Sequence, residues 1–392
     1  MVSRSTSPIL LACLAVALGV AAPPAAAMPP QARRERIDVR DSSGSRLLEA
    51  FILVEAVDGG LLVEHDDQRY ELLPPESIVT RQPIDTTDAD TTPKTLASRI
   101  VADLPPGFDV LTTKHYVICF TTSRDYAKWC AGIFERLHGA FINYWSRAGL
   151  EVANPDKPMV VVIFADRSDY ETYATHDLGA AADRVVGYYN LLSNRITTFD
   201  LTGTDLLPRP NGRPSGGVGL DILSSPAAAG LIATLVHEAT HQMAFNGGLH
   251  QRLAPVPLWV SEGIATSFET PDVGSATGWR GIGAINRARL DHFLKHHRQG
   301  DLEAIVVSDD RFRAAEGPLD AYAAAWALTR YCTDARRQQF LDYLRLQAAK
   351  PPLADDDRDI RLHDFEQAFH CVPGDMEDKV VEAMARLASR PR

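Results

Sequence analysis

The segment LVHEATHQMAF, Leu235–Phe245, sets two histidines four residues apart with a glutamate directly after the first. In an α-helix that spacing stacks His237 and His241 one turn apart on one face, so both imidazoles can reach a single metal ion. Glu238 is turned about 100° away, near enough to handle a proton on metal-activated water without binding the metal. These are the parts that metal-assisted hydrolysis needs: an ion that acidifies water and a carboxylate that removes its proton during attack on a carbonyl. The bland alternative is a core helix carrying two neutral, hydrogen-bonded histidines.

A hydrolytic zinc site also needs a third protein ligand and an open fourth position. PLWVSEGIATSFE, from Pro257, offers Glu262, which stands 21 residues after His241. A helix starting near Ser261 would place Glu262 in its first turn, and the small Gly263 and Ala265 allow close helix packing. Glu269, seven residues on, is the rival ligand. Thr266, one turn after Glu262, is a candidate hydrogen-bond partner for a liganding histidine, with an ordinary buried threonine as the alternative.

HExxH followed by W-x-x-E-G-x-A resembles the gluzincin group of zinc metallopeptidases. The resemblance implies one zinc ion bound by His237, His241 and Glu262, with Glu238 as general base. DAYAAAWALTRYC resembles the helix in these peptidases whose tyrosine donates to the developing oxyanion, and Tyr322 is the matching position. Ala324 and Ala325 stand where the aminopeptidases carry a lysine–glycine pair, which leaves a packed core tyrosine as the alternative and Tyr331 as a second candidate. HYVICFTTSRDYAKWC, MVVVIFADRSDY and VVGYYNLLSNRITTFDLTG are similar to a family of exported bacterial proteins of unknown function with a gluzincin-like core. That likeness runs over roughly 96–343.

The elements around the motif follow from punctuation and periodicity. Ser225 and Pro226 can start the motif helix, and Asn246 and Gly247 can end it. Leu231, Leu235 and Ala239 lie on the face expected to pack on the core. Residues 37–80 show short apolar runs and an Asp58–Gly60 turn, so they read as a small β module. Residues 81–97 read as a linker, and 98–392 as the catalytic domain. Within it, 104–122 suggests two strands and 124–150 a long amphipathic helix. PMVVVIFAD is a buried strand, SDYETYATH a short helix capped by Ser168, and 184–201 a hairpin. The stretch 202–225 is Gly- and Pro-rich loop, and the rest is mainly helical. The fold class expected is α+β, a zincin-like core of mixed sheet followed by active-site helices, with the N-terminal β module in front. The Arg195–Asp200 stretch is the candidate edge strand for pairing with a peptide backbone.

Composition narrows the function further. The chain has 392 residues, 23% charged, with a formal net charge of −11 and no basic run, so nucleic acid is not an expected partner. Arg4, the apolar run 9–22 and Ala25–Ala27 read as a signal peptide over 1–27. The mature chain is then exported, to periplasm or medium, without stable membrane insertion. Four of the five cysteines remain after cleavage. Local disulfides Cys119–Cys130 and Cys332–Cys371 compete with four free thiols. His292 and His296 are also four apart, but Phe293 stands where the base glutamate would be, so they read as an exposed basic face. His115 reads as a core or rim histidine in a strand. The expectation is an exported zinc-dependent peptide hydrolase acting on peptide or protein. A metal-stabilised envelope binding module, and a hydrolase of non-peptide amides or esters, are the alternatives.

Overall fold

The computed structural model describes residues 33–42, 44–84, 92–203, 223, 228–270, 284–314 and 318–390. The 1–27 segment, Ser225 and Pro226 lie outside them, as does most of the 202–225 stretch. The described residues form an α+β structure with two five-stranded sheets and twelve α-helices.

The first sheet comprises β1 (Arg33–Asp41), β2 (Gly44–Glu55), β3 (Leu61–Glu64), β4 (Tyr70–Leu73) and β5 (Ile78–Pro83), in the order β4-β3-β2-β1-β5. Every neighbouring pair is antiparallel. Alternation drives it: Leu48, Ala50 and Ile52 of β2 turn inward, onto Ile37, Val39, Leu61 and Val63. Gly59, at φ +91°, supplies the left-handed backbone of the β2–β3 turn. β5 ends at Pro83 and α1 (Pro93–Asp103) starts with Thr92 as its cap, so regular structure reaches into both ends of the 81–97 stretch.

The second sheet is mixed. It contains β6 (Asp109–Thr112), β7 (Tyr116–Phe120), β8 (Met159–Phe164), β9 (Gly187–Asn190) and β10 (Arg195–Phe199), in the order β6-β7-β8-β10-β9. β8 pairs in parallel with β7 and β10. All six β8 residues are buried, as a continuous Val/Ile run covered on both faces requires. The 195–200 stretch is therefore not an edge. β10 is enclosed between β8 and β9, because its residues are apolar or hydrogen-bonded on both sides, and β9 takes the edge. The long helix α2 (Arg124–Ala148) ends at Gly149, φ +94°. The helix α3 (Arg167–Leu178) is capped by Asp166, whose carboxylate accepts the Asp169 N–H at 3.0 Å, so Ser168 is not its cap.

The helical half follows: α4 (Ala229–Asn246), α5 (Leu258–Phe268), α6 (Arg287–His296), α7 (Asp301–Val307), α8 (Asp310–Arg313), α9 (Pro318–Ala335), α10 (Arg337–Ala348), α11 (Arg358–Phe369) and α12 (Pro373–Ala388). Leu231, Leu235 and Ala239 of α4 are buried in the core. Cys119, Cys130, Cys332 and Cys371 are all free thiols, so neither local disulfide is present. Cys119 and Cys130 are packed into β7 and α2, where burial pushes both thiols up, Cys119 to about 11.

The first sheet is locked to the second by its β3–β4 turn. Asp67 there accepts from Arg195 at 2.6 Å, both side chains being buried. Gln68 donates to the Pro158 carbonyl and accepts from Asn194. Gln68 and Asn194 have φ of +72° and +58°, so two left-handed turn residues face each other. Arg252 lies 3.5 Å from the Tyr70 ring centroid and donates to the carbonyls of Leu191, Leu192 and Gln68. Asp67→Ala would take away the close carboxylate partner of buried Arg195, leaving Asp103 3.9 Å away. Its expected cost is about 3 kcal/mol, the lower end for a broken buried pair, to be read as a lower urea midpoint at unchanged slope.

Candidate metal centre

Two helices bring the three donor residues together. α4 carries His237 and His241 on one face, as their spacing dictates. α5 crosses it and delivers Glu262. The α5 helix begins at Leu258, so Glu262 sits in its second turn, one turn later than a start near Ser261 would put it. Pro257 precedes the helix and Trp259 anchors it, stacking on Tyr343 at 5.4 Å and edge-on to Phe365. One turn further on, Gly263 lies directly against α9. A Cβ there would stand 2.1 Å from Thr329 Oγ1 and 2.8 Å from the Ala325 carbonyl. Glycine is what lets α5 lie this close to α9.

The donor atoms form a compact triangle. His237 Nε2 is 3.0 Å from His241 Nε2 and 3.0 Å from Glu262 Oε2, and His241 Nε2 is 3.5 Å from that oxygen. Ligands about 2.0–2.1 Å from a tetrahedral ion stand about 3.3 Å apart. The group therefore has the size, and the N/N/O donor set, to hold one metal ion. All three residues are buried, at 0–2% exposure, and Glu262 Oε1 has no hydrogen-bond partner. Burial works against charging His237, but Glu262 and Glu269 on either side outweigh it and push its pKa up to about 10. Burial also depresses the pKa of His241. Burial alone would raise Glu262, yet the facing histidines carry it well below the usual carboxylate range. A cation bound here would displace protons from these donors.

Glu269 has a different position from its rival. Its Oε1 lies 2.9 Å from His237 Nδ1, on the side of the ring away from the donor triangle. Arg289 and Asn286 hold it, at 3.0 Å each. It fixes the tautomer and plane of His237 as an orienting carboxylate does behind a metal-binding imidazole. Thr266 does not reach a histidine: its hydroxyl donates to the Glu262 and Gly263 carbonyls of its own helix. Arg289 and Asn286 carry no motif, and residues 271–283 separate them from α5 in sequence. Only the helix-capping geometry of Asn286 ahead of α6 has a sequence signature.

Glu238 faces the edge strand. Its Oε2 accepts the Tyr189 N–H of β9 at 2.7 Å, and its Oε1 is buried with no partner. Burial raises its pKa to about 8. Tyr322 of α9 lies beside the donor group, its ring centroid 6.4 Å from that of His237. Arg289 sits 5.4 Å over its face and Phe312 meets it edge-on. Tyr331, nine residues later, is about 13 Å further along the helix axis. His115 lies just before β7 instead of within it, bonded to Glu135 at 2.6 Å and stacked on His138.

Fold and site together define an α+β protein with a buried His–His–Glu group able to hold a metal ion. Residues 231–354 match the family model described as a protein of unknown function (DUF1570). That region runs from α4 to beyond α10 and contains every residue of the group, with Glu238 and Tyr322. It is narrower than the 96–343 likeness read from the sequence, and leaves the mixed sheet outside the match. No curated protein matches the chain.

Gly263→Ala tests whether close packing on α9 sets the donor triangle. The added methyl must push α5 outward, at about 1–3 kcal/mol for overpacking. Metal content after dialysis should fall, and the thermal midpoint with it. Full metal retention at unchanged stability would show that α5 is not held there by that contact.

Proposed function

We propose that the chain is an exported zinc-dependent hydrolase of peptides, of gluzincin type, with a zincin-like core. The observation that carries this reading is Glu238: a buried carboxylate next to the donor triangle, with one oxygen anchored by Tyr189 N–H and the other unpaired. A base that must meet a water proton needs one fixed and one available oxygen.

His237, His241 and Glu262 would hold the zinc, leaving a fourth position open. Zinc there would supply Lewis acidity toward water and the substrate carbonyl. Glu238 accepts the proton of the attacking water and returns it to the departing amine. The Tyr322 phenol donates to the oxyanion that forms on the carbonyl. Glu269 keeps His237 in the tautomer that leaves Nε2 free for the metal. Export rests on the apolar N-terminal run, outside the described residues. No helix among the described residues is long and apolar enough to cross a membrane.

A second reading, a metal-stabilised binding module, draws on the complete burial of Glu238 and on Ala324 and Ala325 in place of the lysine–glycine pair. Hydrolysis of a non-peptide amide or ester would use the same residues. The deciding experiment incubates the zinc-loaded mature protein with a diverse peptide mixture and reads products by mass spectrometry, beside Glu238→Gln. Cleavage by the wild type is expected, with kcat about 10²–10⁴-fold lower in the variant at unchanged zinc content. Equal activity of the two would remove Glu238 as base, and no cleavage by either would favour the binding module or a non-peptide substrate. His241→Ala should lose the equivalent of zinc held by the His237–His241–Glu262 group, as checked by metal analysis after dialysis.

A further inference from the structure

His292 and His296 of α6 are the second histidine pair at helical i, i+4 spacing, and their rings stack at 4.4 Å. Read as sequence they form a basic face. The structure sets Asp320, from the first turn of α9, against them: its Oδ1 lies 2.6 Å from His292 Nε2. All three line one small cleft between α6 and α9. His297, next along the chain, also borders the cleft and lies near Glu377 at 3.4 Å and Asp301 at 3.8 Å.

We propose that His292, His296 and Asp320 form a second site, for a divalent transition ion of the zinc type, that clamps α6 to α9. Two imidazoles and one carboxylate are the ligands such ions select, and they do not suit calcium or magnesium. The ion replaces the proton between His292 Nε2 and Asp320 Oδ1, which separate to about 3.3 Å around it. Among the described residues only the His237 group has its donor atoms already within 4.8 Å of one another. Here His296 completes the set by turning its ring, which its exposed position on the last turn of α6 permits. The remaining positions stay with water.

The clamp has a consequence at the buried centre. Arg289 stands three residues before His292 on α6, and Tyr322 two residues after Asp320 on α9. Arg289 holds Glu269 behind His237 and lies over the Tyr322 ring. An ion tying α6 to α9 one turn away stabilises that arrangement.

The test counts zinc bound per full-length mature chain, by elemental analysis and calorimetric titration after chelator treatment. Wild type, His292→Ala, Asp320→Asn, His241→Ala and the His241→Ala/His292→Ala double variant are compared. His292 and Asp320 are part-exposed, so their replacement leaves the fold intact, with circular dichroism as the check. Two equivalents are expected in the wild type, one in each single variant and none in the double. One equivalent in both wild type and His241→Ala, with none in His292→Ala, would uphold this site and sink the buried zinc reading. Equal zinc in wild type and His292→Ala would overturn the clamp, whatever the buried centre does.

Discussion

Two imidazole nitrogens and a carboxylate oxygen held about 3 Å apart, away from water, are the constraint on which the helical half is built. Bringing these groups together unpaired would be expensive, because buried polar atoms lose their hydration and like dipoles face each other. The surroundings offset this from two sides. Behind His237, Glu269 is fixed by Arg289 and Asn286, so the ring has a partner at each nitrogen. Behind Glu262, α5 is held by the Trp259 cluster and by the close approach of Gly263 to α9. Neither support touches the point where an ion would sit. Both determine whether the three atoms converge on it.

Glu238 depends on a different part of the molecule. Its anchor is a backbone N–H of β9, and β9 is the edge of the mixed sheet, held by β10 on one side only. The β9–β10 turn therefore positions that anchor. Asn194 stabilises that turn from within by accepting from Asn246 at the end of α4 and from Tyr189 OH. The first sheet stabilises it from outside, through Asp67, Gln68 and the Arg252–Tyr70 stack. The N-terminal sheet thus buttresses the strand that fixes Glu238, a connection that runs through residues far apart in the chain.

Legibility in the sequence followed the range of the interactions. The His237, Glu238 and His241 spacing is a local property of one helix, and it placed those residues correctly on α4. Glu262 was reachable because tryptophan, glycine and alanine at fixed offsets mark a helix that must pack closely, and Gly263 against Thr329 shows the reason. The errors came where the deciding partner was remote or the local signals were tied. Arg195–Asp200 has the pattern of an edge strand, but its neighbour is set by the β8 crossover. Asp166 and Ser168 are both good caps, and the one bonded to the Asp169 N–H wins. Arg289 and Asn286 had no signal, since their role exists only once α6 lies beside α5 and α9.

Glu269 shows why spacing on one helix cannot by itself separate a ligand from the group behind it. Glu262 and Glu269 are seven residues apart, two turns along the same face of α5, and either can approach His237. What separates them is which nitrogen each meets. Nε2 faces His241, so a carboxylate there joins the donor triangle. Nδ1 faces away, so a carboxylate there can act only through the ring. Arg289 completes the distinction: its guanidinium neutralises Glu269, leaving Glu262 as the anionic donor inside the triangle. Two histidines and one unneutralised carboxylate would leave a divalent ion held there with a net charge of about +1. A second bare carboxylate at that point would cancel it, so the Arg289–Glu269 pair sets the electrostatics of the centre as well as its geometry.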